Sequence, residues 1–377
     1  MTRSASRKAH SSKHKKIKYA VVGLGHLAQV AVLPAFSSAP NSELFAIVSN
    51  DEAKLRELGK KYKVEHAYSD EDYDRALKVV DAVYLVVPSH VHREYAVRAA
   101  AAGVHVLCEK PMAVTEEECK EMIAAADENN VKLMIAYRLH FEKANLKAIE
   151  LAHSGKLGEP RFFDSAFAQQ VVADNIRVTE PVERGGGPVY DMGVYCINAA
   201  RYLFRAEPTA VTALSASNRE KRFRKAEEMT SVVMEFPGAR LANFTCSFGA
   251  AEISRYTLVG TKGCLTLQPA YNYSKALAQQ ITIGDKTTSK KFAKSDHFAP
   301  QLIYFSNCIL RNTTPEPSGW EGLADVRIVQ AIYESARTGK KIALSNFHRK
   351  KRPGMKQEIR RPAHGKPSTI KAESPSG

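Results

Sequence analysis

The chain has 377 residues, more than one hydrophobic core usually supports, so two domains are expected. Hydrophobic residues make up 44% of the sequence and charged residues 25%, as in ordinary globular proteins. The sequence has no run of about 18 apolar residues, so no membrane span is expected. The N-terminus is basic but lacks the apolar stretch of a secretory signal, so the cytoplasm is the expected location.

The formal net charge of +15 is concentrated at the two ends of the chain. Residues 1–18 carry seven Lys or Arg and no acid, and residues 349–377 carry nine against two acids. Both ends are polar and poor in aromatic residues, which predicts disordered basic tails over 1–16 and 348–377. Because the body between them is almost neutral, nucleic acid is not an expected partner.

The cysteines and histidines give no sign of a disulfide framework or a metal centre. Six cysteines show no paired spacing, and several lie in apolar runs, which predicts buried free thiols in a reducing compartment. His90 and His92 are two residues apart, but no third ligand follows at a recognised spacing. No metal site is therefore expected.

From Tyr19 to Tyr137, short apolar runs alternate with segments of helical periodicity. Continuous apolar strands separated by helices predict a parallel sheet covered on both faces. The first domain is therefore predicted to be α/β and to span residues 17–140. Its predicted strands are YAVVG (19–23), LFAIVS (44–49), AVYLVV (82–87), VHVLCEK (104–110) and KLMIAY (132–137).

The turn after the first predicted strand reads Gly23-Leu24-Gly25-His26-Leu27-Ala28, a GxGxxA pattern. Glycines at these positions allow a tight turn and a close approach of the backbone to a pyrophosphate at the helix N-terminus. The motif follows a strand and opens a helix, which is the context that a dinucleotide site requires. Gly23, Gly25, His26 and Leu27 are therefore predicted to bind a dinucleotide cofactor.

The end of the second predicted strand bears on the choice between NAD and NADP. An acid there would bond the ribose 2′-hydroxyl of NAD and repel a 2′-phosphate. This chain has Ser49 and Asn50, with Lys54 one helical turn further on. A hydroxyl and a lysine favour NADP, whereas Asp51 nearby leaves NAD open.

The segment HVLCEKPMAV (105–114) places Glu109 and Lys110 at the carboxyl end of a predicted strand. Most lysines are solvated surface residues, and this one could be another. In open α/β sheets, however, ligands bind at that edge. Lys110 is therefore also a candidate for an active-site residue.

From Arg161 onward the pattern changes to long alternating runs joined by tight turns such as Pro237-Gly238. This predicts an α+β domain over 141–347 with a large, mainly antiparallel sheet. A late helix over 322–339 is expected to return to the first domain. The predicted strands are 161–171, 209–217, 230–236, 240–248, 254–261 and 263–268.

Five motifs in the same order resemble the glucose–fructose oxidoreductase / inositol dehydrogenase (Gfo/Idh/MocA) family, and most closely its glucose–fructose oxidoreductase branch. The resemblance covers residues 17 to 345 and implies a Rossmann domain followed by the α+β domain. It also implies a homodimer or homotetramer formed through the C-terminal sheet. The motifs are GLGHLA (23–28), CEKPMAV (108–114), YRLH (137–140), GGGPVYDMGVYCINAARYLF (185–204) and DVRIVQAIYESARTGKKI (325–342).

The resemblance implies catalytic roles for three residues. Lys110 would hydrogen-bond the substrate oxygen that changes oxidation state, and Tyr195 would transfer the proton. Asp191 lies four residues before Tyr195, so the two share one face of a helix. Many family members have a histidine in place of Tyr195. The ammonium of Lys110 would favour the tyrosinate that accepts a hydroxyl proton, and Asp191 would orient the lysine or the sugar.

The resemblance also suggests further contacts with cofactor and substrate. Arg138 and His140 follow a strand end at the ligand edge, although an interdomain salt bridge would explain them equally well. His92 is a candidate for the cofactor site or for capping a helix. Ile176 precedes Arg177 where close relatives have tryptophan. The remaining cofactor candidates are Val87, Pro88, Ser89, Glu109, Lys110 and Arg177.

The leading hypothesis for function is an NADP-dependent oxidoreductase that oxidises a pyranose or related polyhydroxy compound, or reduces a sugar carbonyl. A trans-dihydrodiol dehydrogenase is an alternative that would need an aromatic-lined pocket. A second alternative is a non-catalytic regulatory protein of the same fold that senses dinucleotide or sugar. The intact set Lys110, Asp191 and Tyr195 favours an enzyme, because a sensor has no need to keep it.

Overall fold

A computed structural model describes residues 16–218, 220–349, 351–365 and 367–376. Two sheets organise the chain, one of six strands and one of nine. Most of the predicted N-terminal tail, residues 1–15, lies outside the described residues. None of the helices in the described part of the chain is long and apolar enough to cross a membrane.

The first sheet is entirely parallel, with the order β3-β2-β1-β4-β5-β6. This is the order of a Rossmann fold, which reverses between β1 and β4 and leaves a crevice at their carboxyl ends. The predicted parallel sheet is therefore confirmed, with β3 as an additional short strand. Its strands are β1 (Ile17–Val22), β2 (Ser42–Val48), β3 (His66–Tyr68), β4 (Ala82–Leu85), β5 (His105–Cys108) and β6 (Leu133–Ile135).

In the described part of the chain, ten α-helices accompany the strands, and a π-helical segment, Ala28–Val32, precedes the first of them. A second π-helical segment, Val189–Gly193, leads into α8. The helices are α1 (Leu33–Ala35), α2 (Glu52–Tyr62), α3 (Tyr73–Leu77), α4 (His92–Ala101), α5 (Glu116–Glu128), α6 (Lys143–Ala152), α7 (Ile176–Thr179), α8 (Val194–Phe204), α9 (Ala299–Leu310) and α10 (Gly319–Thr338).

Both faces of the first sheet are buried, as the continuous apolar strands predict. One face packs against α4, α5 and the start of α10. The other face packs against α1 and against α9, which returns from the second half of the chain. The hydroxyls of Tyr19 on β1 and Ser306 on α9 lie 2.8 Å apart, so this contact also carries a buried hydrogen bond.

The second sheet has the order β14-β13-β12-β11-β7-β10-β9-β8-β15. All neighbouring strands are antiparallel except β7 and β10, which confirms the predicted mainly antiparallel sheet. The strands are β7 (Pro160–Ala168), β8 (Ala210–Ala216), β9 (Met229–Phe236), β10 (Arg240–Ser247), β11 (Ile253–Gly260), β12 (Gly263–Leu267), β13 (Ala278–Ile283), β14 (Lys286–Lys291) and β15 (Ile342–Ala343).

One face of the second sheet packs on α6, α8 and α10, whereas the other carries exposed apolar side chains. Strand register places Phe162, Leu214, Val233 and Leu241 on this outer face. Leu214 is 72% exposed. Helix α10 has residues in the cores of both domains, with Val326 in the first and Ile332 in the second. The late helix thus joins the two domains.

The C-terminal segment differs from the expectation of a disordered tail. Arg349 forms an ion pair with buried Glu321 at 2.9 Å, and Arg352 pairs with buried Glu207 at 2.6 Å. Ile359 packs against the core on the α9 side of the first sheet. The composition of residues 348–377 predicted a solvated segment. In the fold, however, Arg349 and Arg352 neutralise buried glutamates of the preceding domains.

Candidate active site

A cavity of about 960 Å³ opens at the carboxyl ends of the first sheet and is closed on one side by the second domain. Its size is suited to a cofactor together with a small substrate. Most of the predicted site residues line it together. They are Gly23, Gly25, His26, Leu27, Val87, Pro88, Ser89, Glu109, Lys110, Arg138, Arg177, Asp191 and Tyr195.

The two glycines of the turn after β1 have different roles in shaping this cavity. Gly23 has a φ of +91°, and an added Cβ would lie 2.5 Å from the carbonyl oxygen of Val86. A Cβ on Gly25 would instead meet nothing within 4 Å. Gly23 therefore makes the tight turn, and Gly25 leaves open space at a helix N-terminus where a pyrophosphate could approach.

Three predicted cofactor residues at the end of β2 do not line the cavity. The Ser49 hydroxyl accepts a hydrogen bond from the Asp51 amide at 3.2 Å, and Asn50 accepts one from the Asp70 amide at 3.0 Å. Asp51 caps α2 by accepting from the Lys54 amide at 3.1 Å, and its carboxylate lies 3.9 Å from Lys54 Nζ. Asp51, the acid that kept NAD possible as the cofactor, therefore already caps α2 and lies beside Lys54.

Lys110 lies at the centre of the cavity wall and is held by the second domain. Its Nζ donates to the backbone carbonyl of Asp191 at 2.7 Å and to Asp191 Oδ1 at 2.8 Å. Arg177 Nε donates to the other carboxylate oxygen at 2.7 Å. The Asp191 carboxylate therefore bridges two cations from different parts of the chain. An ammonium has three N–H groups, so one remains for a ligand in the cavity.

The electrostatics of this cluster keep its members charged. Burial alone would raise the pKa of Asp191, but Arg177 and Lys110 outweigh burial and hold it well below its usual value. Burial would likewise lower the pKa of Lys110, yet the neighbouring Asp191 and Tyr195 raise it above its ordinary value. At neutral pH the site therefore presents an ammonium, a carboxylate and a guanidinium.

Tyr195, in the first turn of α8, lies beside Lys110 and Arg138. Arg138 Nε donates to the Tyr195 hydroxyl at 3.1 Å. Lys110 Nζ lies 4.7 Å from the centre of the tyrosine ring. The family resemblance implies that Lys110 acts on the phenol oxygen, but the direct hydrogen bond to that oxygen comes from Arg138.

Arg138 is buried and linked to His297, a residue that sequence analysis missed. The two side chains meet at 3.1 Å, and since a guanidinium can only donate, His297 Nδ1 accepts. Burial and the adjacent Arg138 hold the pKa of His297 well below its usual value. His297 is thus neutral, with its proton on Nε2. It precedes α9, a helix whose position no local motif indicated.

Glu109, the other charged residue in the segment 105–114, has a supporting position. Tyr84 on the neighbouring strand donates to Glu109 Oε1 at 2.8 Å, and the Lys110 amide donates to Oε2 at 3.3 Å. Burial raises the pKa of Glu109 despite these hydrogen bonds. Glu109 lies on the cavity wall and fixes the backbone from which Lys110 projects.

Two predicted ligand contacts, His92 and His140, do not line the cavity. His92 is buried, with Nε2 2.8 Å from the Val87 carbonyl and Nδ1 3.0 Å from that of Pro111. It therefore ties together the loops after β4 and β5. His140 lies between Glu316 at 3.1 Å and Asn198 at 2.8 Å, in a buried polar network. Both imidazoles already have partners on either side, which explains why they support the site instead of contacting ligands.

Aromatic side chains surround the substrate side of the cavity. Phe167 and Tyr271 lie with ring centres 5.7 and 5.9 Å from that of Tyr195. Tyr273 packs under the Arg138 guanidinium at 5.5 Å. Ile176 is exposed on the same wall. Among the described residues, no three His, Cys, Asp or Glu side chains are grouped as a metal site would require.

A Rossmann domain whose glycine-rich turn lines a large cavity is the architecture of a dinucleotide-binding protein. Residues 17–137 match the profile of an oxidoreductase family with an NAD-binding Rossmann fold, and residues 145–266 match the C-terminal domain of the same family. The chain therefore belongs to the Gfo/Idh/MocA family of oxidoreductases.

Several relatives act on sugars or related compounds, as their names state. D-xylose 1-dehydrogenase (NADP(+)) of Haloarcula marismortui is 31% identical and matches 87% of this chain and 93% of its own. The crystal structure of aldose-aldose oxidoreductase from Caulobacter crescentus, complexed with glycerol, has a TM-score of 0.83 and 36% identity, covering 88% of this chain and 100% of that one. Trans-1,2-dihydrobenzene-1,2-diol dehydrogenase of Xenopus laevis is 24% identical over 85% of this chain and 96% of its own.

Proposed function

We propose that the protein is an NADP-dependent oxidoreductase that transfers hydride between the nicotinamide and a sugar or related polyhydroxy compound. The observation that carries this proposal is the cluster of Lys110, Asp191 and Tyr195 in the cavity that begins at Gly23. The xylose dehydrogenase and the aldose-aldose oxidoreductase among the relatives support a sugar as substrate.

NADP is favoured over NAD by the residues at the end of β2. Ser49 and Lys54 provide a hydroxyl and a cation, and Asp51 is occupied as the cap of α2. A 2′-phosphate there would meet an ammonium and would not face a free carboxylate. The NADP-dependent xylose dehydrogenase among the relatives supports the same choice.

The residues around the cavity have separate roles in alcohol oxidation. A bound NADP would supply the nicotinamide ring as the hydride acceptor for the substrate carbon. The free N–H of Lys110 donates to the substrate oxygen and orients it. Tyr195, as the tyrosinate, takes the hydroxyl proton, and Arg138 Nε donates a hydrogen bond to the same oxygen. In the reverse direction the phenol returns the proton to the carbonyl oxygen.

Asp191 acts in this scheme as a positioning residue. Its carboxylate binds Lys110 through one oxygen and Arg177 through the other. Because the carboxylate and the backbone carbonyl of Asp191 each accept an N–H of Lys110, the third N–H of the ammonium is directed into the cavity. A lysine is flexible in isolation, and restricting its rotamers places the donor where the substrate oxygen must lie.

The test is to compare Lys110→Ala and Tyr195→Phe with the unmodified protein. Both variants should lose about 10²–10⁴-fold in turnover, because each removes a group in contact with the reacting oxygen. Binding of NADPH, followed by its fluorescence, should change little. Lys120→Ala is the matched control, since Lys120 is an exposed residue of α5. Full turnover by either active-site variant would contradict the proposed roles.

A trans-dihydrodiol dehydrogenase activity is the second candidate, and the aromatic wall favours it. Phe167, Tyr271 and Tyr273 line the cavity next to Tyr195 and could stack on an unsaturated ring. A direct comparison separates the candidates: turnover with aldoses favours a sugar substrate, and turnover with trans-dihydrobenzenediol alone favours the alternative.

We infer that the outer face of the second sheet is a surface for self-association. Phe162, Leu214, Val233 and Leu241 form an exposed apolar patch on its outer face. Exposed apolar patches of this kind are typical of interfaces between protein chains. The family resemblance implies a homodimer or homotetramer through this sheet, and the patch supports that assembly for this chain.

A further inference from the structure

The chain does not end at the second sheet but runs back along the first domain. Beyond β15, Gln357 donates to Glu316 at 2.9 Å, and Glu358 forms an ion pair with Lys143 at 2.8 Å. Arg361 Nε then donates to the carbonyl of Ser38, just after α1, at 3.1 Å. These contacts bring the last residues to the side of the cofactor cavity.

Residues 367–376, termed the C-terminal latch, are fixed at one end to the first domain. Gln29 lies beyond the glycine-rich turn and is buried. Its side-chain amide pairs with the backbone of Ile370, donating at 2.9 Å and accepting at 2.7 Å. Lys61 on α2 also donates to the carbonyl of Ser368 at 3.2 Å. The latch is therefore attached beside the turn that faces a cofactor pyrophosphate.

The other end of the latch is fixed to the second domain. The amide of Val172 donates to the carbonyl of Pro375 at 2.9 Å. Val172 lies in the loop between β7 and α7, and α7 carries Arg177 of the active-site cluster. Five residues of extended chain span up to about 17 Å, so the stretch from 370 to 375 can cross between the domains.

The latch lines the cavity at one end, and at its other end Lys371 Nζ lies 3.8 Å from Asp51 Oδ1, next to the end of β2. Glu373, Ser374, Pro375 and Ser376 line the same cavity of about 960 Å³ as Gly23 and Lys110. The cavity beneath still spans the distance from the glycine-rich turn to the catalytic cluster. A segment that was competing for the cofactor site would instead occupy that space.

We propose that the C-terminal latch forms the outer wall of the cofactor site and has to open before NADP or NADPH can exchange. The proposal rests on the proposed function in one respect, because it takes the cavity to be the cofactor site. Closure holds the cofactor between the two domains while substrate enters from the side of Tyr195. Chemistry proceeds with the latch closed, whereas cofactor exchange does not.

Dissociation of NADPH, measured by its fluorescence as excess NADP displaces it, tests the latch. One variant ends at Lys366, and a second, Ile370→Pro, removes the N–H that donates to Gln29. Ile370→Val keeps this N–H and serves as the control. Because the latch is held by the Gln29–Ile370 pair, by the Lys61 ammonium and by only a few other contacts, the first two variants should release NADPH at least about tenfold faster, equivalent to about 1.4 kcal/mol in the barrier.

The association rate distinguishes a latch from a competitor. If the latch is a gate, the truncated protein should also bind NADPH faster, and Ile370→Val should match the full chain in both rates. A dissociation rate within twofold of the full chain in both variants would overturn the proposal. So would a truncation that speeds association alone and tightens binding, because that result means the segment competes with the cofactor. Failure of the full chain to bind NADPH would instead contradict the proposed function.

Discussion

Asp191→Asn is the most informative single change in the active site, because Asp191 joins Lys110 to Arg177. The substitution keeps the size of the side chain but removes its charge. Lys110 then loses the partner that raises its pKa, and burial, which lowers the pKa of a lysine, becomes the dominant influence. The variant should therefore lose the ammonium at a lower pH than the unmodified enzyme.

The size of the effect follows from the burial of the pair. Removing one partner of a buried ion pair costs about 3–5 kcal/mol, since a charge is left without compensation. The Lys110 side chain is only 9% exposed, but that of Asp191 is 24% exposed. Partial exposure places the loss in free energy of unfolding at the lower end, about 3 kcal/mol. Without Asp191, Lys110 is no longer held as a charged donor to the substrate oxygen, and this loss should cost about 10–100-fold in kcat/KM.

The assays are denaturant unfolding and kcat/KM for alcohol oxidation as a function of pH. The pKa of Asp191 is depressed in the folded state, so its stabilisation is present above the unfolded value of about 3.9 and is lost as pH falls below it. The stability difference between the two proteins should therefore shrink in acid. In kinetics, the variant should lose activity at a lower alkaline pH than the unmodified enzyme.

Asp74→Asn is the matched control, because Asp74 forms an exposed ion pair with Arg98 and its side chain is 69% exposed. It should cost no more than about 1 kcal/mol and leave the pH profile unchanged. If kcat/KM of Asp191→Asn fell at the same alkaline pH as that of the unmodified protein, the assignment of Asp191 as the partner that keeps Lys110 charged would be wrong.

Three further changes test other parts of the structure. His140→Gln should cost about 3 kcal/mol of stability near pH 6 and less near pH 9, with KM for the sugar unchanged, because the imidazole pairs with Glu316 and its pKa is raised despite burial. Lys54→Ala should weaken NADP binding by about 10–100-fold and leave NAD binding nearly unchanged, as a titration with each cofactor would show. Leu214→Glu should dissociate the proposed homo-oligomer, which light scattering coupled to gel filtration would detect.

Each of these has a clear opposing result. The imidazolium–carboxylate pair is fully formed below the unfolded pKa of about 6.5 and is lost as pH rises through the higher folded value. A destabilisation by His140→Gln that did not depend on pH would contradict that pairing. Equal losses for NAD and NADP would remove Lys54 from phosphate recognition. An unchanged mass for Leu214→Glu would exclude the outer face of the second sheet as the interface.

The parts of the fold that local patterns specify could be predicted from sequence. Apolar strands alternating with helices are confirmed as a parallel sheet, and the turn at Gly23 lies where its motif requires. Lys110 is also at the expected strand end, because a parallel sheet brings its carboxyl ends to one edge. Such features depend on residues close together in the chain.

Features that depend on distant partners could not be predicted. The hydrogen bond from Arg138 to Tyr195 joins residues 57 positions apart, and that between His140 and Glu316 joins residues 176 apart. The C-terminal segment looked disordered because its arginines find their acids, Glu207 and Glu321, only in the folded body. Composition is averaged along the chain, whereas these contacts are set by the topology.

The central claim is that bound NADP exchanges hydride with a sugar in this cavity. The most direct test is the absorbance and fluorescence of the NADP-saturated protein during addition of a panel of aldoses and then ketoses. At least one aldose should produce the reduced nicotinamide signal, and Lys110→Ala with NADP bound should not respond to the same sugar. A cofactor that stays oxidised with every aldose and, when reduced, stays reduced with every ketose would contradict the account.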